Sequence, residues 1–217
     1  MVNAITINAG ASDSVHLRGL TIEGLGSGAN GIQFNTGGNL AIENCVIRGF
    51  TVDGINIVPS TSSSFSVSNT IASNNHLFGM LVEPTGAAAV TGVLSKVTAS
   101  NNGFQGIAVG GSGTTGASVN VTIVDSEASN NGAIGVEANS SSGHAATAVM
   151  LRNVVASYNG VGLQAASTAF LLVAHSVFTG NGTGVSAQGG TLLSYGDNDI
   201  DGNANNNTAA LTKIPTH

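Results

Sequence analysis

The sequence predicts an all-β fold: a single β-solenoid of about eight rungs, three short strands to a rung, filling residues 1–217 as one domain. Three observations carry that expectation. A Gly-led alternating segment recurs as Gly31-Ile32-Gln33-Phe34, Gly54-Ile55-Asn56-Ile57, Gly79-Met80-Leu81-Val82, Gly106-Ile107-Ala108-Val109, Gly135-Val136-Glu137-Ala138, Gly162-Leu163-Gln164-Ala165 and Gly184-Val185-Ser186-Ala187, at spacings of 23, 25, 27, 29, 27 and 22 residues. An Asn-rich block precedes it in Ala72-Ser73-Asn74-Asn75, Ala99-Ser100-Asn101-Asn102, Ala128-Ser129-Asn130-Asn131 and Ala156-Ser157-Tyr158-Asn159, and in weaker form at Phe178-Thr179-Gly180-Asn181 and Ile200-Asp201-Gly202-Asn203. The chain is 41% hydrophobic yet only 4% aromatic and 7% charged, with 31 Gly and no Trp, so its small apolar residues must be buried by an unusually regular structure.

The elements of a rung follow in chain order. An alternating strand comes first and sets Val15/Leu17, Leu40/Ile42, Phe65/Val67, Val121/Ile123, Val149/Leu151 and Leu171/Val173 on one side; period two means that one face is buried. After a polar corner comes a strand ending in a small residue, Ala72, Ala99, Ala128 or Ala156, which suits a narrow interior. Gly and Asn at the corners tolerate positive φ. The Gly-led strand and a loop complete the rung, and no segment has helical periodicity. Rungs stacked about 4.8 Å apart pair each strand with its copies above and below and bury a core that no single rung could bury. Leucine-rich repeats are the alternative solenoid, but their Leu-dense signature is missing. At the ends, 1–14 read as an incomplete first rung that opens in the strand Ala4-Ile5-Thr6-Ile7. Residues 203–217, with Leu211, Ile214 and Pro215, read as a C-terminal capping segment or tail.

Charge narrows the partners. Eleven Asp and Glu against five Lys and Arg leave no basic footprint for a phosphate backbone, which argues against nucleic acid. The cations Arg18, Arg48, Lys96, Arg152 and Lys213 are dispersed, which disfavours polyanionic sugars as well. Cys45 is alone and can form no intramolecular disulfide. No apolar run approaches the roughly 20 residues of a membrane span, and no basic-then-apolar leader follows Met1.

Aligning the rungs stacks Asn44, Asn69, Lys96, Asp125, Asn153, His175 and Asp197 in one corner column. It reads as a structural polar ladder whose side chains bond to each other and to backbone amides, with Lys96 compensated by Asp125 and His175 by Asp197. The repeated Asn75, Asn102, Asn131, Asn159, Asn181 and Asn203 read as turn formers. Arg18 beside Glu43 and Glu23 beside Arg48 are expected as exposed cross-rung ion pairs worth about 0–1 kcal/mol each. Cys45 aligns with Leu20, Thr70, Val97 and Val154, as a packed thiol would. Alternation splits the acidic run Asp197, Asp199 and Asp201 between corner and strand, so it reads as a solvated turn. No metal site and no cofactor is expected.

The Gly-led strands and Asn corners resemble the pectate-lyase-like superfamily of right-handed parallel β-helices, and most of all its secreted bacterial β-helix repeat proteins. Val15-His16-Leu17-Arg18-Gly19-Leu20-Thr21-Ile22-Glu23-Gly24 and Tyr195-Gly196-Asp197-Asn198-Asp199-Ile200-Asp201-Gly202-Asn203 are especially similar to that group. The resemblance spans nearly the whole chain and implies a right-handed parallel β-helix and an extracellular or cell-surface location, with a signal peptide already removed or lying upstream. Members usually carry an N-terminal capping segment. This chain departs there, so self-association through the uncapped N-terminal end is expected, or a preceding segment that covers it.

The resemblance also implies a substrate cleft over the Gly-led strand, flanked by long loops. Outward positions there would be Gln33, Asn56, Leu81, Ala108, Glu137, Gln164 and Ser186, then Asn35, Val58, Glu83, Gly110, Asn139, Ala166 and Gln188 two residues later. Gln33, Asn56, Glu83, Glu137, Asn139 and Gln164 are the candidate ligand-binding residues. Glu83 and Glu137 are the sole candidates for catalysis, two rungs apart and offset by two residues, which sets their backbones about 12 Å apart. A hydrolase pair needs about 5–9.5 Å between carboxyl groups. A polyuronate lyase of the superfamily would need clustered carboxylates for Ca²⁺ and a cationic base, and neither is present. The loops Gly110 to Asn120 and Asn139 to Ala148 are the longest and would form a wall beside this face.

The leading expectation is a non-catalytic extracellular β-helix module that contacts carbohydrate or serves as a surface scaffold. The alternative is a polysaccharide lyase or glycoside hydrolase acting on a weakly charged glycan through Glu83 and Glu137. Ice binding would need two parallel Thr columns, whereas a single column, Ser73, Ser100, Ser129, Ser157 and Thr179, is present.

Overall fold

The computed structural model describes residues 2–215, which coil into a parallel β-solenoid with three faces and about seven turns. Eight strands, from Ile5–Asn8 to Thr183–Gln188 and all but the first Gly-led, stack in sequence order as the first sheet. The second sheet runs from Ser14–Arg18 to Thr191–Ser194, and Leu211–Lys213 adds to its last member. The third face is made of Thr21–Glu23, Val46–Arg48, the far ends of Ser63–Ser73 and Val90–Ser100, and the pair Val155–Ser157 and Val177–Thr179. Strands pair in parallel from turn to turn, so each inward position stacks on its copy: Ile5, Ile32, Ile55, Met80, Ile107, Val136, Leu163 and Val185 form one such column. Stacking like on like is what buries these small side chains; each fully buried Val, Leu or Ile contributes about 1.5–3 kcal/mol.

Two left-handed residues per turn bend the chain. Gly19, Asn44, Asn69, Lys96, Asp125, Asn153 and His175 take positive φ at the corner between the second and third faces. Gly49, Asn74, Asn101, Asn130, Tyr158, Gly180 and Gly202 do so at the corner between the third and first. One left-handed residue turns the backbone without ending the pairing, so Ser63–Ser73 and Val90–Ser100 run unbroken through Asn69 and Lys96.

This geometry corrects the ladder expected of the first column. Asn44, Asn69, Lys96, Asp125, Asn153 and His175 are all exposed, because the left-handed conformation turns the side chain outward. At the last turn Gly196 takes the positive φ in place of Asp197, which is half-buried. The expected bonding appears only in pairs: Asn153 Nδ2 donates to Asp125 Oδ1 at 2.7 Å, and the expected His175–Asp197 pair is present, Asp197 Oδ1 accepting the His175 backbone N–H at 3.1 Å and Oδ2 lying 3.3 Å from Nε2. Lys96 has no ion pair among the described residues. The corner is stabilised one residue later, where the hydroxyls of Thr70, Ser126 and Ser176 accept the N–H of Cys45, Val97 and Val154 from the preceding turn and donate to their own chain two residues back.

The ladder lies at the other corner. Asn75, Asn102, Asn131, Asn159 and Asn181 are buried, and Asn203 half-buried, in one stack. Each side-chain carbonyl from Asn102 to Asn203 accepts both the backbone N–H and the Nδ2 of the Asn one turn earlier, at 2.9–3.1 Å. The second amide hydrogen of Asn102, Asn131, Asn159 and Asn181 goes to the carbonyl of Ala72, Ala99, Ala128 and Ala156. Donors and acceptors are thereby matched, which is the condition under which a buried amide is stabilising.

The ladder also explains the glycine repeat. None of the glycines that lead the first-sheet strands has positive φ. They are required for space: a Cβ at Gly79, Gly106 or Gly135 would lie 2.7–2.8 Å from the Nδ2 of Asn102, Asn131 or Asn159. The same Cβ would lie 2.6–2.7 Å from the carbonyl oxygen of the next Gly in the column.

The interior of the second sheet has one irregular rung. Gly92 pairs with Phe65 where its neighbours carry Leu40, Val121 and Val149, and the Phe65 ring occupies the space left by the missing side chain. Gly92→Ala is expected to cost about 1–3 kcal/mol through overpacking. Phe65→Leu in the same chain should recover part of it, read as the shift in urea midpoint of the single and double variants.

Candidate functional site

On the first sheet the register stacks Gln33, Asn56, Leu81, Ala108, Glu137, Gln164 and Ser186 in one outward column. Glu83 follows Val82, in register with Gly110 and hence with Asn139, so it stands two turns and two residues from Glu137. That is about 10 Å along the axis and about 7 Å along the strand. Side-chain bonding fixes one member of the pair. Glu137 Oε2 accepts Gln105 Nε2 at 2.8 Å and Glu137 Oε1 accepts Gln164 Nε2 at 2.9 Å, one donor from each flanking turn. Swinging towards Glu83 would break both bonds. The Glu83 carboxylate has no bond to another described residue.

The amides of this face are largely occupied by one another. Asn30 Nδ2 donates to Gln33 Oε1, Gln33 Nε2 to Asn35 Oδ1, and Asn35 Nδ2 to Asn8 Oδ1, at 2.8–2.9 Å. Asn139 Oδ1 accepts the hydroxyl of Ser112, which also meets Ser141, so the long loops are fastened to the face as well as to each other. Thr114 Oγ1 ties its loop to the one below through the carbonyl of Ala88. Of the predicted ligand residues, Gln33, Glu137, Asn139 and Gln164 are thus held in internal bonds. Asn56 keeps an acceptor with no donor, but that oxygen is buried, as is Gln105 Oε1.

One ionisable group was not singled out by the sequence. Asp53 is 2% exposed, its N–H bonded to Asn30 Oδ1 and its Oδ1 accepting Phe78 N–H at 3.2 Å. Burial pushes its carboxyl up from 3.8 to about 6, against the opposing pull of the Phe78 amide. The available signal was the column one residue before each Gly, where Asp53 alone carries a carboxylate among Asn30, Phe78, Gln105, Ile134, Val161 and Thr183. Asp53 is three turns from Glu137 and five residues along the strand from Glu83, too far to work with either.

The sign of the Asp53 effect is definite. Between pH 3.8 and 6 the native state holds a proton that the unfolded state has lost, so this contribution is complete below pH 3.8 and disappears as pH rises through 6. Asp53→Asn keeps an acceptor for Phe78 and removes the buried charge. The variant is expected to be more stable than the wild type at pH 7, by about 1–2 kcal/mol, and to match it more closely at pH 4, in urea titrations at both pH values.

Elsewhere Arg18 Nε lies 3.8 Å from Glu43 Oε2 and Arg48 Nε bonds Glu23 Oε1 at 3.0 Å, both on the exposed surface. The Cys45 thiol is buried, with Sγ 3.2 Å from the carbonyl of Glu43. Among the described residues no three His, Cys, Asp or Glu are grouped to hold a metal ion, and no helix is long and apolar enough to cross a membrane.

A coil of parallel strands with stacked columns and an internal amide ladder defines a parallel β-helix. The family model described as "Right handed beta helix region" matches residues 3–178, and the chain belongs to that family. No curated protein and no solved structure matches it.

Proposed function

We propose that the protein is a non-catalytic β-helix repeat module, working outside the cell, that offers a rigid surface to a neutral carbohydrate. The observation that carries the non-catalytic reading is the fixing of Glu137 between Gln105 and Gln164, away from Glu83. General acid–base chemistry on a glycosidic bond needs two carboxyl groups converging on one point, and no such pair stands on this face among the described residues. An acidic chain with few cations supports a neutral ligand over a polyanionic one. The likeness of its corner segments to secreted bacterial β-helix repeat proteins supports an extracellular location.

The competing reading is a lyase or hydrolase working through Glu83 and Glu137. Incubation with a panel of neutral and weakly charged polysaccharides is expected to release no reducing ends and no unsaturated products. Turnover that is abolished in Glu137→Gln would overturn the non-catalytic reading.

A further inference from the structure

A concavity of the surface lies away from the predicted face. It is a groove of about 790 Å³ across the corner between the third and first faces, over the early turns. Phe50 lies beneath it as a buried residue, and Gly26 and Gly103 border it without side chains. Gly103 cannot be replaced by a larger residue without striking the carbonyl of His76 one turn below, so the fold itself keeps the groove open. Asn74, Asn101 and His76 border it, all exposed.

The side chains at its border differ from those of the first sheet. Among the described residues the amide of Asn74 reaches only Ser73 Oγ, at a marginal 3.4 Å, while the side chains of Asn101 and His76 have no partner. These are donors and acceptors free to meet a ligand, whereas Gln33, Glu137, Asn139 and Gln164 would have to break internal bonds first. Among the described residues no carboxylate, Lys or Arg lines the groove. Its volume falls in the range of about 300–1,000 Å³ typical of small-molecule sites. Asn74 and Asn101 repeat along the axis at the rung spacing of about 4.8 Å, close to the length of one pyranose residue in an extended chain.

We propose that this groove is the carbohydrate site: it takes one or two neutral sugar residues, with Asn74, Asn101 and His76 bonding the hydroxyls. The assignment rests on the carbohydrate-contacting reading above and moves the site from the first sheet to the Asn corner.

The test is titration of the protein with neutral cello-, xylo-, manno- and galacto-oligosaccharides, followed by calorimetry and by NMR of side-chain amides. Three proteins are compared: wild type, Asn101→Gly with His76→Ala, and Glu137→Gln. Glycine at 101 retains the left-handed backbone, and melting temperatures establish that each variant is folded. The expected result is binding by the wild type, at least tenfold weaker binding by the double variant, and unchanged binding by Glu137→Gln. Equal binding by wild type and double variant would overturn the groove while leaving the module reading standing. A wild type that binds none of the oligosaccharides would overturn both.

Discussion

Asn131→Ala is expected to destabilise the protein by about 3–5 kcal/mol, more than a side chain of this size usually costs. The substitution removes four hydrogen bonds at once. It leaves the backbone N–H and one amide hydrogen of Asn102 without an acceptor, and Ala99 O and Asn159 Oδ1 each short of a donor. Each buried group left unpaired costs about 1–3 kcal/mol, and water cannot easily replace the amide because the stack is buried on both sides. Asn130, one residue earlier, is the control. It is exposed and left-handed with φ 56°, so Asn130→Gly keeps the turn and should change stability by less than about 1 kcal/mol. Urea midpoints separate the two outcomes, and a small effect at Asn131 would show that the ladder is not what holds the corner.

Those two neighbours also show what the sequence could convey. The pair Asn130-Asn131 repeats in register with Asn74-Asn75 and Asn101-Asn102, so the turn and its period were legible. Which Asn turned the chain and which one stacked was not, since both are the same residue type and differ only in φ and burial. Tyr158 was the available clue: it replaces the first Asn and leaves the second, Asn159, intact, as expected if only the second must bond its neighbours. The glycine repeat was legible as a period but its cause was not, because the obstruction is an Asn on a different turn; the positive φ expected of Gly and Asn at the corners is found at Gly19, Gly49, Asn74 and Asn101. The inward pairs of the second sheet were legible by alternation except at Gly92, whose space is filled by Phe65 from 27 residues earlier.

The candidate site was legible only as a set of positions. Column membership of Gln33, Asn56, Glu137 and Gln164 follows from the repeat, and the register reproduces it. Whether those side chains are free is a matter of bonds across turns, and alternation carries no information about that. Gln105 illustrates the point: it lies outside the outward column, yet it supplies one of the two amides that fix Glu137. The groove arises from residues that a motif search passes over, namely glycines without side chains and a Phe standing where an Asn is due.

That Phe supplies the other large expected effect. Phe50 occupies the ladder position of its turn, and its N–H is the last donor of the stack, bonded to Asn75 Oδ1 at 3.2 Å. The ring fills the space under the first loop, where a Cβ at Gly24 or Gly28 would lie 2.7–2.9 Å from its atoms, and the side chain is 3% exposed. Phe50→Ala should therefore cost about 3–5 kcal/mol by opening a cavity that the surrounding glycines have no side chains to fill. In a solenoid each turn contacts chiefly its neighbours, so the loss should be local. Hydrogen exchange should accelerate at Val46–Arg48 and Ile55–Ile57 while Val161–Ser167 and Phe170–Ala174 stay protected, and thermal unfolding should split into two steps. Uniform loss of protection along the coil would mean that the turns unfold as one unit, and that Phe50 helps hold the whole stack rather than its first turns.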